Sequence, residues 1–165
     1  MSTLSSPRTA ATTSTDAPLA GAASGAGRID VRGPQFAAIL TSAVLAATLL
    51  AAPSPLATVL LLGQAVVFAI GAAAGVAASP YAWLFRTVVR PRLGPPTEFE
   101  DAAPPRFAQT VGLVFAVVGL IGLAAGLTLL GQIAVGFALA AALLNAVFRF
   151  CLGCEMYLLA KRLTA

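Results

Sequence analysis

Beyond residue 34 the chain is written in long apolar runs separated by short, sharp breaks. The first run extends from Phe36 to Ala52 and stops at Pro53-Ser54-Pro55; the second extends from Leu56 to Ala78. A third stretch, from Phe107 to about Ala160, carries only Arg149 and Glu155 as charges. A helix crossing about 30 Å of hydrocarbon needs roughly 20 residues, so the third stretch holds two spans joined by a tight turn. Either Gly126-Leu127-Thr128 or Gly131-Gln132 can supply that turn, and the first gives spans near 107–125 and 129–150. The pattern predicts an all-α fold: a transmembrane four-helix bundle with spans at about 36–52, 56–78, 107–125 and 129–150.

Residues 1–28 are rich in Ser, Thr, Ala, Gly and Pro and have no apolar face to bury, which predicts a disordered polar tail ahead of a membrane domain over 29–165. No apolar stretch of signal-peptide length lies within that tail.

The basic residues sort by loop. Arg28 and Arg32 precede the first span, and Arg86, Arg90, Arg92 and Arg106 lie between the second and third. Arg149, Lys161 and Arg162 end the fourth, while the two short turns carry none. Lys and Arg mark the cytoplasmic side, so this asymmetry predicts an inner (cell) membrane protein with both termini and the middle loop in the cytoplasm. Tyr81, Trp83, Phe85 and Tyr157 fall where an interfacial aromatic belt would lie on that side. Written as a helix, residues 81–90 place Tyr81, Leu84, Phe85, Val88 and Val89 on one face and Arg86 and Arg90 on the other. That reads either as a short interfacial helix or as an extension of the second span ended by Pro91. Gly94-Pro95-Pro96 and Pro104-Pro105 make the intervening acidic loop extended.

Two motifs recur. Pro34-Gln35-Phe36-Ala37 resembles Pro105-Arg106-Phe107-Ala108, and Leu61-Leu62-Gly63-Gln64 resembles Leu129-Leu130-Gly131-Gln132. A duplicated helical hairpin would produce this, as would chance in so Ala/Leu/Gly-rich a chain. Gly112, Gly119 and Gly126, joined by Gly122, form a small-residue strip on the third span, and Gly71 and Gly75 form a GxxxG on the second. Such strips let helices approach closely in lipid, either within one chain or across a homodimer. Gln64, Gln132 and Asn145 should point into the bundle, where an amide finds a partner.

Composition narrows the chemistry. The 165 residues are 59% hydrophobic and 10% charged, too few charges to clothe a soluble globule of this length. There is no histidine, which removes His-based catalysis and His metal ligands. A net charge of +4 reports membrane orientation here and not nucleic-acid binding. No phosphate loop or nucleophile elbow occurs, and no cofactor is implied. The one cluster with reactive potential is Cys151-Leu152-Gly153-Cys154-Glu155. If the fourth span continues through it, both sulfurs lie on one side near the C-terminal end of a long helix. There the dipole and Glu155 both disfavour thiolate, so a basic partner such as Arg86, Arg90 or Arg92 would be required. Gly153 could instead unwind the helix. A reducing cytoplasm predicts a resting dithiol. Two thiolates and a carboxylate fall short of a zinc site, and two small buried hydrophobes remain a structural alternative.

Arg32-Gly33-Pro34-x-Phe36-Ala37, Ser79-Pro80-Tyr81, Val89-Arg90-Pro91-Arg92-Leu93-Gly94-Pro95-Pro96, Glu98-x-Glu100-Asp101 and Phe150-Cys151-Leu152-Gly153-Cys154-Glu155-Met156-Tyr157 carry a resemblance. Over about residues 29–163 the chain resembles an actinobacterial four-helix membrane family of unknown function. The pattern is also similar, loosely, to small four-helix quinone-linked thiol-redox membrane proteins. The resemblance implies a thioredoxin-like or sulfurtransferase partner. On this reading Cys151 and Cys154 exchange electrons or sulfane sulfur, Glu155 tunes them, and Arg86, Arg90, Arg92 and Arg106 dock the partner or anionic lipid. The competing reading is a non-enzymatic scaffold that binds another membrane helix through Gly112, Gly119 and Gly126.

Overall fold

The structure, a computed structural model, describes residues 27–164. The tail expected over 1–28 lies outside the described residues as far as 26, whereas Arg28 already belongs to a strand. Four long helices carry the fold: α1 (Arg32–Ala51), α2 (Pro55–Ala74), α4 (Ala103–Ala124) and α5 (Thr128–Phe148). Between α2 and α4 lies a five-residue helix, α3 (Pro80–Leu84), and a sixth helix, α6 (Leu152–Thr164), closes the chain. All four long helices are long and apolar enough to cross a membrane. Large apolar side chains such as Leu50, Val66, Val114, Ile121 and Ile133 stand exposed on them, as lipid-facing surface requires. The protein is a multi-pass membrane protein.

Local signals account for the ends. Pro55 occupies the first turn of α2, and Pro104 and Pro105 that of α4, where a missing N–H costs nothing. The α4–α5 turn falls at Gly126, whose φ of 75° is a conformation glycine adopts without strain. Helices α1 and α4 begin about four residues before the apolar runs do, because their first turns are polar and reach out of the hydrocarbon. Conversely, α2 stops at Ala74, four residues short of Ala78: Gly75, at φ 92°, turns the chain out of it.

The long helices pack in a closed ring, α1 on α2, α2 on α4, α4 on α5 and α5 back on α1. Leu45, Leu61, Ala65, Phe68, Ala116, Val135 and Ala138 form the core. The glycine strip builds these contacts. A Cβ at Gly112 would meet the Phe68 ring at 2.8 Å, and one at Gly119 would meet Leu61 at 3.0 Å and Val135 at 3.1 Å. At Gly122 it would come within 2.6 Å of the Gly131 backbone nitrogen. Gly112, Gly119 and Gly122 therefore face the chain's own helices, whereas Gly126, at the turn, has open space where a Cβ would stand.

A two-stranded antiparallel ribbon, β1 (Arg28–Asp30) with β2 (Phe99–Asp101), ties the approach to α1 to the approach to α4. Arg28 lies opposite Asp101. The order strand–helix–helix thus occurs twice. The two amides of the suspected repeat do not correspond, however: Gln64 lies midway along α2, whereas Gln132 lies one turn into α5.

Candidate functional site

The end of the bundle that receives the ribbon, the α2–α4 segment and α6 carries every basic residue among the described residues. Its side chains have separate tasks. Arg106 donates from Nε to the Ala72 carbonyl and from Nη2 to the Ala73 carbonyl, each at 2.7 Å, and so caps the C-terminus of α2. Arg106 is thereby engaged in the scaffold while remaining exposed. Arg32 pairs with Asp30 at 2.9 Å. Burial pushes the Asp30 carboxyl up, but the hydrogen bonds and charge of Arg32 outweigh it and leave it below its ordinary value. Arg86 reaches the Ala77 carbonyl and Arg92 the Val88 carbonyl, and Arg86, Arg90 and Arg92 all remain exposed.

Residues 81–90 form neither a regular interfacial helix nor an extension of α2. Ser79 caps α3 by accepting from the Ala82 amide, and the helix widens into a π-turn over Phe85–Val89 before a 3-10 turn at Arg90–Arg92. Pro91 explains the widening, since it has no N–H to donate back to the preceding turn and its ring crowds that turn's carbonyl. The aromatic residues do not form a belt together. Trp83 is exposed, but Phe85 is buried against Phe36, with ring centroids 5.8 Å apart. The Tyr81 hydroxyl donates at 2.8 Å to Oε1 of Gln64, whose Nε2 donates at 3.3 Å to the Thr41 hydroxyl. Sequence reasoning missed this chain. The available signals were Gln64, expected to point into the bundle, and Thr41, one of three hydroxyls with Ser42 and Thr48 in the first span.

The largest departure concerns the cysteines. Helix α5 ends at Phe148, and Arg149 adopts the left-handed conformation at φ 56° and ψ 25°. The Arg149 amide donates to the Asn145 carbonyl at 3.1 Å and the Phe150 amide to the Leu144 carbonyl at 3.3 Å, which closes the end as an αL cap with arginine where glycine is usual. A new helix then starts at Leu152. Cys151 therefore stands at the entry of α6 and not near the end of a long helix. The Cys154 amide donates to Cys151 Sγ at 3.3 Å, as it would to a capping oxygen. This reverses the dipole argument: the positive end of α6 points at the Cys151 sulfur. Glu155, in the first turn, complements that end. Arg149 no longer shares a helix with the cysteines. The two sulfurs are joined as a disulfide, with Cα atoms 5.2 Å apart, where a dithiol was expected. Gly153 does not unwind the helix. It packs so closely on α4 that a Cβ there would lie 2.6 Å from that of Ala108.

The disulfide forms part of the wall of a cavity of about 940 Å³. This space runs from Thr41 and Phe68 inside the ring to Arg86, Arg90 and Arg149 at the charged end. Small residues of α1, α4 and α5, among them Ala38, Ala108, Gly112, Ala138 and Ala142, line its inner part and are too small to fill it, with Phe115 and Phe137 also in the wall. The side-chain amides of Gln109 and Asn145 also line it. Glu100, half-buried at its margin, has its carboxyl pushed above the ordinary value by burial. Among the described residues no group of His, Cys, Asp and Glu could hold a metal ion.

Four apolar spans closed in a ring, with a cysteine pair in the wall of the space they enclose, define a membrane protein with an internal site. The chain belongs to the family described as Domain of unknown function (DUF4395), which matches residues 29–162. The match begins within β1 and ends within α6, so it contains both the cavity and the cysteine pair. Comparisons with curated proteins and with solved structures find no match.

Proposed function

We propose that this protein carries out thiol–disulfide exchange at Cys151 and Cys154 with a soluble thioredoxin-like or sulfurtransferase protein. The observation that carries the reading is the position of Cys151 at the N-terminal entry of α6, with the Cys154 amide on its sulfur. An amide N–H and a helix N-terminus favour thiolate over thiol, the form that attacks. In the exchange the Cys151 thiolate attacks the partner's disulfide and a mixed disulfide forms. Cys154 then displaces the partner's second thiol. The pair becomes a disulfide, the partner a dithiol, and the two protons of the pair pass to the partner's sulfurs. Reduction of the pair is the same sequence reversed.

Arg86, Arg90 and Arg92, all exposed, supply a basic surface for the partner's approach. The restriction of basic residues to one end supports an inner-membrane location with that end, both termini and the thiol site in the cytoplasm.

The test is the state of the two sulfurs in intact membranes, read by alkylation and mass shift under oxidant and reductant. Reversible interconversion, with loss of partner oxidation in a Cys151→Ser/Cys154→Ser variant, is expected. Sulfurs inert to both treatments, in a protein whose double variant behaves as wild type, would overturn the proposal.

A further inference from the structure

We infer that the cavity within the helix ring is a binding site for a membrane-soluble, uncharged carbonyl compound whose carbonyl oxygen accepts a hydrogen bond from Thr41. The inference does not rest on the thiol reading. A space of about 940 Å³ lies at the upper end of the range of ligand sites, and it reaches from the charged end into the apolar interior of the ring.

The walls state its chemistry. Phe68, Phe115 and Phe137 present hydrocarbon. Thr41 is 7% exposed, lines the cavity and accepts from Gln64. Its own proton has no acceptor among the described residues: Ser42 and Thr48 donate back to their helix carbonyls, and Thr41 does not. Tyr81 and Gln64 stand behind it as a directed chain, each donating to the next, so the line ends on the Thr41 hydroxyl at the cavity wall, with a proton left to donate. A buried donor without an acceptor costs free energy, and a carbonyl oxygen supplies what is missing without bringing a charge into the bundle. Gln109 and Asn145 offer further neutral donors nearer the charged end. An anionic headgroup fits less well, because five carboxylates, Asp30, Glu98, Glu100, Asp101 and Glu155, line the same charged end. A quinone ring and an acyl ester share this carbonyl-and-hydrocarbon chemistry.

The test uses the full chain in nanodiscs with three probes: a decyl-substituted 1,4-naphthoquinone, 1-oleoylglycerol, and the oleyl glycerol ether that lacks the carbonyl. Binding is read by titration. One or both carbonyl probes should bind at least tenfold more tightly than the ether, and the tighter of the two identifies the source. Thr41→Val should weaken the carbonyl probe about 5- to 10-fold, the size of one hydrogen bond, and Thr41→Ser should restore it. Ala138→Phe, which fills the space, should abolish binding while leaving the alkylation of Cys151 and Cys154 unchanged. Equal binding of ether and carbonyl probes, or no binding of any probe to the wild-type chain, would overturn the inference. Inert cysteines with intact Thr41-dependent binding would overturn the proposed function and leave this site standing.

Discussion

Gly153, between the two cysteines, is where packing and chemistry meet, and its replacement by alanine makes a quantitative test. A Cβ there would lie 2.6 Å from Cβ and 2.7 Å from Cα of Ala108, whereas ordinary contact begins at 3.4 Å. Backbone blocks the new atom, so no rotamer change relieves it and α6 must retreat from α4. Overpacking of this kind costs about 1–3 kcal/mol, offset by up to about 1 kcal/mol of helix propensity gained on leaving glycine. A net loss of about 1–2 kcal/mol corresponds to roughly a 5- to 30-fold rise in the population of the displaced helix. Two assays follow: reversible denaturation in bicelles, and the alkylation rate of the reduced pair under native conditions. The Gly153→Ala variant should be less stable, and its thiols should react faster by about that factor. Adding Ala108→Gly removes the Cβ but leaves the Cα 2.7 Å away, so rescue should be partial, with a coupling energy of about 0.5–1 kcal/mol. A variant as stable as wild type, with unchanged thiol reactivity and no coupling to residue 108, would refute the packing of α6 on α4.

Three further outcomes are expected. Arg149→Gly should raise the unfolding free energy by about 0.5–1 kcal/mol, since a non-glycine residue at φ 56° is strained; lower stability would count against the left-handed cap. Arg106→Gln should destabilise the chain by about 1 kcal/mol through loss of the two carbonyl bonds at the end of α2, and should leave partner binding unchanged; weaker partner binding at unchanged stability would place it on the docking surface. Burial raises the Glu100 carboxyl, so the fold favours its protonated form. Its contribution to stability is full below the ordinary value of 4.5 and is lost as pH rises through the higher folded value. Glu100→Gln should flatten that part of the stability–pH profile, and an unchanged slope would contradict the burial.

The spans were legible because length and apolarity alone define them: a run of about 20 apolar residues satisfies its own backbone across hydrocarbon only as a helix. The Gly126 turn was legible for a similar reason, as glycine advertises a positive φ. The break after Phe148 was not, because its left-handed residue is Arg149, and arginine gives no such notice. A signal existed in residues 152–164, where Leu152, Met156, Leu159 and Leu163 recur at helical spacing with Lys161 and Arg162 between the last two. That is the pattern of a separate amphipathic helix, and it was hidden by the apolar run before it. Gly112, Gly119 and Gly122 were visible as a packing strip, but spacing along one helix cannot say which helix it meets. The Tyr81–Gln64–Thr41 line joins three elements by side-chain reach, and the β1–β2 ribbon joins two three-residue segments about seventy residues apart. Neither leaves a periodic trace.

Because the ring is completed by α5 lying against α1, the first span cannot reach its final neighbours until the last one has been made. Gln35 on α1 donates to the Ala146 carbonyl near the end of α5, and the groups of α1 that turn inward, Thr41, Ser42 and Thr48, have only one flanking helix before then. During synthesis the leading hairpin must wait in the bilayer with a polar seam exposed, and a nascent chain arrested before Thr128 would present that seam to whatever insertion machinery or chaperone stands beside it.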